Sequence, residues 1–559
     1  MIRNLFQKIN QKWNGMHEAA ILLGVFSLLS QLLGLVRDRM FAHNIGPGET
    51  LDIYYSAFRI PDFLYISIAS LASITVLMPF LIERMNISNE KAREFLNEVL
   101  TGFLLLLMVA SVVAFIFMPK IAVLVAPGFS PDAHTMLVMT SRIMLLSPIF
   151  LGLSNMLGTV TQLMRKFFIF SLSPIFYNVG IIIGLVFFYP IFGVYGLAFG
   201  VVIGAMLHLF VQIPTIIRAG FTPKLSLRLR KSTLKEVVML SLPRTLGLSM
   251  NSFALLVVMA IGSTLTPGSI SIFNLSFNLE TVPVMIIGIS YAVASFPMLA
   301  EAYAKSDMSR WKSCILSSIR QIIFWSLPLS TLFIVLRAQI VRVVLGSGAF
   351  TWSDTRLTAA CLALFSLSII AQNMILVIVR GYYSAHNTKT PLIINSISSA
   401  IIILLSFVLV YLFNQSEMFH YFMISLLRVD DSASAQVLML PLAYSIGTSI
   451  NAWLHYRHLN KNYINEPSNI NRTLFESLSA SFAIGVVAYV VLNFVAPFFD
   501  THTTIGIFAQ GATAGIAGIF AGIVILYGLK SEPFFALVLA LRHKFWKATP
   551  GVIETHEQS

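Results

Sequence analysis

Apolar runs of about twenty residues, each closed by turn-forming or charged residues, recur along the whole chain. At ~1.5 Å per residue such a run crosses a ~30 Å hydrocarbon layer as a helix. Fourteen candidates follow, at 20–43, 52–83, 95–118, 135–163, 168–188, 193–216, 236–262, 269–299, 315–336, 358–379, 391–413, 437–455, 474–498 and 504–528. Two other stretches stand apart. Residues 414–436 form the longest connection, and their apolar middle suits the outer interface; residues 531–547 open with Ser-Glu-Pro and end in Arg542, Lys544, Trp546 and Lys547, the pattern of an interfacial helix. The pattern predicts an all-α polytopic membrane protein.

Composition agrees, since 57% of the 559 residues are hydrophobic and 11% charged, too few charges for a soluble globular chain. The net charge of +13 would suit a nucleic-acid binder, but its distribution points elsewhere. With the N-terminus inside, 26 of the 37 Lys and Arg fall on internal segments and 6 on external ones. That asymmetry is the positive-inside rule, so both termini are expected in the cytoplasm and nucleic acid is not an expected partner. The first 18 residues are polar and basic and run into a full-length span, so the first helix is expected to stay as the insertion signal. Cys314 and Cys361 are isolated and suit helix packing, and no metal-ligand spacing is present.

Five basic residues remain within spans: Arg37, Arg59, Arg142, Arg244 and Arg320. Residues 27–85 concentrate the problem, with Arg37 and Asp38 on one apolar run and Asp52, Arg59 and Asp62 on the next. Each charge in hydrocarbon costs at least ~2.5 kcal/mol, which argues for a protein-lined aqueous cavity, although helix-locking ion pairs would also account for them. Counted back from the Asn44–Gly48 turn, Arg37 and Arg59 share a layer about 10 to 12 Å deep. His208 and His455 are candidate proton relays, with packing the plainer role.

The chain also repeats itself. Asn155-Met156 and Asn373-Met374, Pro174/Asn178 and Pro391/Asn395, Leu33-Gly34-Leu35 and Leu246-Gly247-Leu248, Pro47-Gly48 and Pro267-Gly268, and Pro79 and Pro297 pair at similar offsets. Six spans per repeat is an even number, so the halves share an orientation and are related by an axis along the membrane normal, with a substrate path between them. Aligning Gly34 with Gly247 places Arg244 opposite Gln31.

The segments SLLSQLLGLVRD (27–38), AFRIPDFL (57–64), VLMPFLIE (76–83), LPRTLGLS (242–249), FPMLAE (296–301) and RGYYSAHNTKTP (380–391) resemble the MurJ/MviN lipid II flippases of the multidrug/oligosaccharidyl-lipid/polysaccharide exporter superfamily. The resemblance implies fourteen helices in two six-helix lobes around a central cavity, plus two C-terminal helices lining a groove for a polyprenyl tail. Domains are then expected at 1–217 (first lobe), 218–436 with helix 12 at 437–460 (second lobe), 461–530 (helices 13 and 14) and 531–559 (interfacial helix and tail). By resemblance, Arg37, Asp38, Asp52, Arg59 and Glu280 are cavity residues. Three cavity arginines of the family are replaced here by Gln31, Tyr65 and Asn278, which supply hydrogen bonds without charge. Arg244 is expected to restore the charge missing at Gln31 from the opposite lobe.

The expected function is a flippase carrying a polyprenyl-pyrophosphate glycolipid, lipid II, from the inner to the outer leaflet of the bacterial inner membrane, as a monomer among membrane lipids. The missing arginines keep another polyprenyl-linked glycan, or a non-transporting envelope scaffold, as alternatives. A membrane enzyme would need a carboxylate pair or metal motif on a loop, and only Asp430-Asp431 is available. No GxxxxGK[ST] motif occurs, so no nucleotide cofactor is expected and a coupling ion or the membrane potential would supply the drive.

Overall fold

The computed structural model describes residues 16–69, 71, 74–164, 166–218, 220–221, 224–226, 231–430, 433–465 and 470–545, and no strand occurs among them. Helix α1 (Met16–Asn44) is one unbroken piece, whereas the predicted span 52–83 is interrupted. It comprises α2 (Glu49–Ala57), α3 (Arg59–Leu64), a π-helical turn at Tyr65–Ala69 and α4 (Ile74–Ile87). Pro61 has no N–H to return to the Ala57 carbonyl, and the break at Phe58 follows.

The first half continues with α5 (Asn89–Val125), α6 (Pro131–Met144), α7 (Ser147–Leu163), α8 (Phe167–Ile183) and α9 (Val194–Phe210). Helices α8 and α9 touch backbone to backbone: a Cβ on Gly180 would lie 2.2 Å from the Cα of Gly204. Only glycine permits that approach.

The second half opens with α10 (Lys231–Ser263), α11 (Ser269–Pro283), a π-helical turn at Val284–Ile289 and α12 (Ser290–Ala304). The turns beginning at Tyr65 and Val284 are related by the same offset, to within a residue, as Pro47 and Pro267 or Pro79 and Pro297. The interruption of the second span is thus repeated in its counterpart. Then come α13 (Met308–Val335), α14 (Arg337–Val344), α15 (Trp352–Ser366), α16 (Ile369–Ser384), α17 (Lys389–Gln415), α18 (Glu417–Leu427), α19 (Met439–Leu459), α20 (Ile470–Val495), α21 (Thr504–Gly528) and α22 (Glu532–Phe545).

Eleven helices among the described residues are long and apolar enough to cross a membrane, and twelve if α15 and α16, bent by 42°, form one span. The two further predicted spans correspond to α1 and to the interrupted α2–α4 series, which carry the charges. The 414–436 stretch holds a helix, α18, whose Met418, Tyr421, Phe422 and Leu426 are exposed, in keeping with an interfacial position. The basic and aromatic end expected for α22 lies outside the described side chains.

Of the five hydrophobic cores among the described residues, three are large. The largest runs through both halves at the end bearing the α1–α2 turn, and includes Phe41, Leu51, Tyr54, Ile270, Phe273 and Phe365. Away from that end one core around Leu77, Phe95 and Val160 belongs mainly to the first half, and another around Trp311, Ile319 and Tyr382 to the second. The halves are therefore fused at one end, and toward the other each has a core of its own, with α10 bridging to the first half through Val237 and through the Ser241 hydroxyl, which donates to the Leu71 carbonyl at 2.6 Å. Polar contacts reinforce the fusion: the Ala349 amide donates to the His43 carbonyl at 2.9 Å, Arg39 Nη1 to the Val343 carbonyl at 2.6 Å, and the Gly128 amide to Ser263 Oγ at 3.2 Å.

Candidate functional site

The site is built where α1, the α2–α3 break and α11 converge. Arg37 and Asp38 are neighbours on α1, and Arg37 folds back so that Nε and Nη2 donate to Asp38 Oδ1 at 2.9 and 2.8 Å. Its remaining arm, Nη1, donates to Asn178 Oδ1 on α8 at 3.0 Å. The other Asp38 oxygen accepts from Asn278 Nδ2 on α11 at 2.9 Å, across the boundary between the halves. Asp38 is 2% exposed, and an ion pair this buried holds only because every partner is supplied.

Arg59 stands at the start of α3. Its Nη2 donates to Asn274 Oδ1 on α11, again across the boundary, while its buried Nε has no acceptor. No salt bridge to Arg59 is present among the described residues. Asp62, three residues on, is exposed, so an open space adjoins it. A partnerless guanidinium N–H beside such a space is a ready donor for an incoming anion.

The other expected residues divide. Tyr65 begins the π-helical turn and, like Gln31, is half-buried. Asn278, expected as a neutral stand-in for arginine, instead holds Asp38 in place. Asp52 was expected in the cavity but is 3% exposed: Oδ2 accepts from the Gly268 amide at 2.6 Å, and Oδ1 from the amide and hydroxyl of Ser271. It caps α11 from the opposite half, a helix start whose own Gly268 has no side chain to do so. Glu280 is fully buried, with Oε1 accepting from Gln372 Nε2 at 2.7 Å and Oε2 left without a hydrogen-bond partner.

Arg244 occupies another place. It covers the Tyr383 ring at 5.7 Å and lines a cavity of about 310 Å³ formed by α10, α16, α17, α19 and the turn after α11. Gln372, the partner of Glu280, lines the same cavity, but Arg37, Arg59 and Gln31 do not. The expectation that Arg244 replaces the charge at Gln31 is corrected accordingly. Sequence reasoning missed Asn178 and Asn274 as partners of the two arginines, and Arg380 as a lining residue of the second cavity. The repeated Pro-x-x-x-Asn pattern was the available signal for Asn178.

The histidines are held by neighbours. His208 Nδ1 lies 2.7 Å from Ser154 Oγ, and His455 Nε2 lies 3.2 Å from Asn395 Oδ1.

A family model described as lipid II flippase MurJ matches residues 41–509, most of the chain. The chain belongs to the MurJ family. Relatives in that family include a probable lipid II flippase MurJ of Buchnera aphidicola subsp. Baizongia pistaciae, 24% identical over 486 residues that cover 86% of this chain and 90% of the relative. Another is the lipid II flippase MurJ of Burkholderia cenocepacia, 26% identical, covering 67% of this chain and 74% of that one. The fold is similar to a solved structure of lipid II flippase MurJ in an inward closed conformation, with a TM-score of 0.73 and 22% identity over 93% of this chain and 100% of the other. A multidrug-resistance transporter of the MATE family and MOP superfamily, in an inward-facing conformation, shares the fold at a TM-score of 0.63, with 14% identity over 81% of this chain and 99% of the other. MurJ membership makes this chain a transporter rather than an enzyme.

Proposed function

We propose that this chain is a lipid II flippase of the bacterial inner membrane, carrying the polyprenyl-pyrophosphate glycolipid from the inner to the outer leaflet for cell-wall synthesis. The observation that carries the reading at the level of the site is Arg59: a half-buried side chain with a partnerless Nε, set against neutral Asn274 and next to an open space at Asp62. A pyrophosphate supplies the acceptor that Arg59 Nε lacks, while Arg37, already neutralised by Asp38, offers a position for exchange of partners.

In this reading α1 and the interrupted α2–α4 series also cross the membrane, completing fourteen spans with both termini cytoplasmic. The two six-helix lobes rock about the sealed end, and α20 and α21 flank the prenyl tail. An ion gradient or the membrane potential drives the cycle, and the transporting unit is a monomer. The deciding experiment is complementation: expression in cells depleted of their own lipid II flippase, with outer-leaflet lipid II measured directly. Growth with restored outer-leaflet lipid II is expected. A protein that reaches the membrane yet leaves lipid II at the inner leaflet would overturn the reading.

A further inference from the structure

The cavity lined by Arg244 lies wholly on helices that follow residue 231. Arg380 lines it too, resting on the Phe296 ring at 5.3 Å, and Tyr383 stands with both. Amides and hydroxyls such as Asn251, Asn395 and Ser399 make the rest of its polar wall, and no carboxylate is among the described lining residues.

The internal repeat explains this arrangement. With Gly34 on Gly247, the places of Arg37 and Asp38 fall to Met250 and Asn251, and the place of Asn178 falls to Asn395. In the first half those positions carry an ion pair clamped by an asparagine. In the second the ion pair is gone, Asn395 turns to Asn451 and His455, and an open space remains. Its cations arrive from one end, on α10 and near the close of α16.

Two guanidiniums facing one low-dielectric space repel each other, and that repulsion is far larger than it would be in water. A multivalent anion between them converts it into charge-assisted bonds that match the planar guanidinium fork. At ~30 Å³ per water the cavity has room for about ten waters, enough for a diphosphate with neighbouring hydroxyl groups. The geometry points to a second anion site inside this half, separate from Arg37 and Arg59, that takes a phosphate-bearing group of diphosphate type. The site does not depend on the flippase reading, because it is read out by binding.

The test is calorimetric titration of the purified full-length protein in detergent with inorganic pyrophosphate and, separately, with farnesyl pyrophosphate. Arg380→Gln and Arg244→Gln should each weaken binding at least ~10-fold, with Arg380→Lys retaining more than Arg380→Gln. Tighter binding of farnesyl pyrophosphate identifies a membrane-lipid headgroup as the ligand, and equal binding identifies a free anion. Full-strength binding by the Arg244→Gln/Arg380→Gln double variant, recovery of Arg244→Gln binding by Gln31→Arg, or no binding of either probe to the parent would overturn the site. Should the variants fail to fold, phenylglyoxal labelling of the parent protein decides. Pyrophosphate should protect Arg244 and Arg380 from modification, and protection confined to Arg37 and Arg59 would overturn the proposal.

Discussion

Removing the Asp52 carboxylate tests how the sealed end is held. Asp52→Ala deletes the acceptor of two backbone amides, Gly268 and Ser271, and of the Ser271 hydroxyl, all at a position 3% exposed. A buried donor left without a partner costs ~1–3 kcal/mol, so the two amides alone lose about 2–6 kcal/mol. Water entering from the nearby surface offsets part of this, leaving about 2–4 kcal/mol. Because the bonds join opposite halves, that loss falls on the closed arrangement alone and lowers its ratio to an opened one roughly 30-fold to several hundred-fold. Spin labels at Asp132→Cys and Ser353→Cys, in a Cys314→Ala/Cys361→Ala background, place one probe on each half at this end. Double electron–electron resonance should show one short distance in the parent, a populated longer one in Asp52→Ala, and an intermediate result for Asp52→Asn, whose amide keeps one accepting oxygen. An Asp52→Ala distribution identical to the parent's would refute the reasoning.

Arg37→Ala should abolish the appearance of lipid II at the outer leaflet while the protein still reaches the membrane; normal flipping would show that this cation serves packing alone. Gly348→Ala should loosen the same sealed end, since its Cβ would lie 2.3 Å from the His43 carbonyl oxygen in a φ +61° backbone, and the label pair above should report the longer distance. Trp311→Ala should lower stability by ~3–5 kcal/mol, read as a fall in the thermal unfolding midpoint, because the ring is fully buried and its Nε1 donates to Ser384 Oγ at 2.9 Å. Reporter fusions after Lys231 or at Ser559 should read cytoplasmic and one near Ser432 external; a cytoplasmic signal at Ser432 would remove the fourteen-span topology.

The helical architecture was legible because a membrane span must bury a long apolar run, and up to twelve of the fourteen runs read from the chain are helices long and apolar enough to cross a membrane. The charged hairpin was legible for the opposite reason: Arg37 and Asp38 break the apolar rule and stand out. Their partners were harder to find. Asn178, Asn274 and Asn278 carry no charge, and an amide within a span looks the same whether it clamps an arginine or faces a neighbouring backbone. Arg380 was counted among the internal loop charges because the apolar run ends at Val379, whereas α16 continues to Ser384 and keeps the side chain on a cavity wall. Asp52 read as a cavity carboxylate because nothing local reveals that the helix it caps begins more than two hundred residues later.

The matched π-helical turns were invisible in the sequence, since one extra residue in an apolar run leaves its character unchanged. Each holds one residue more than an α-helical turn requires. If that surplus passes to the next turn, the segment beyond it advances by ~1.5 Å and rotates by roughly 100° without parting from its neighbours. Tyr65 lies in one of these turns, and the other begins directly after Pro283, three residues past Glu280. The two segments therefore carry paired screw threads at equivalent positions of the repeat, able to re-aim the side chains beyond them.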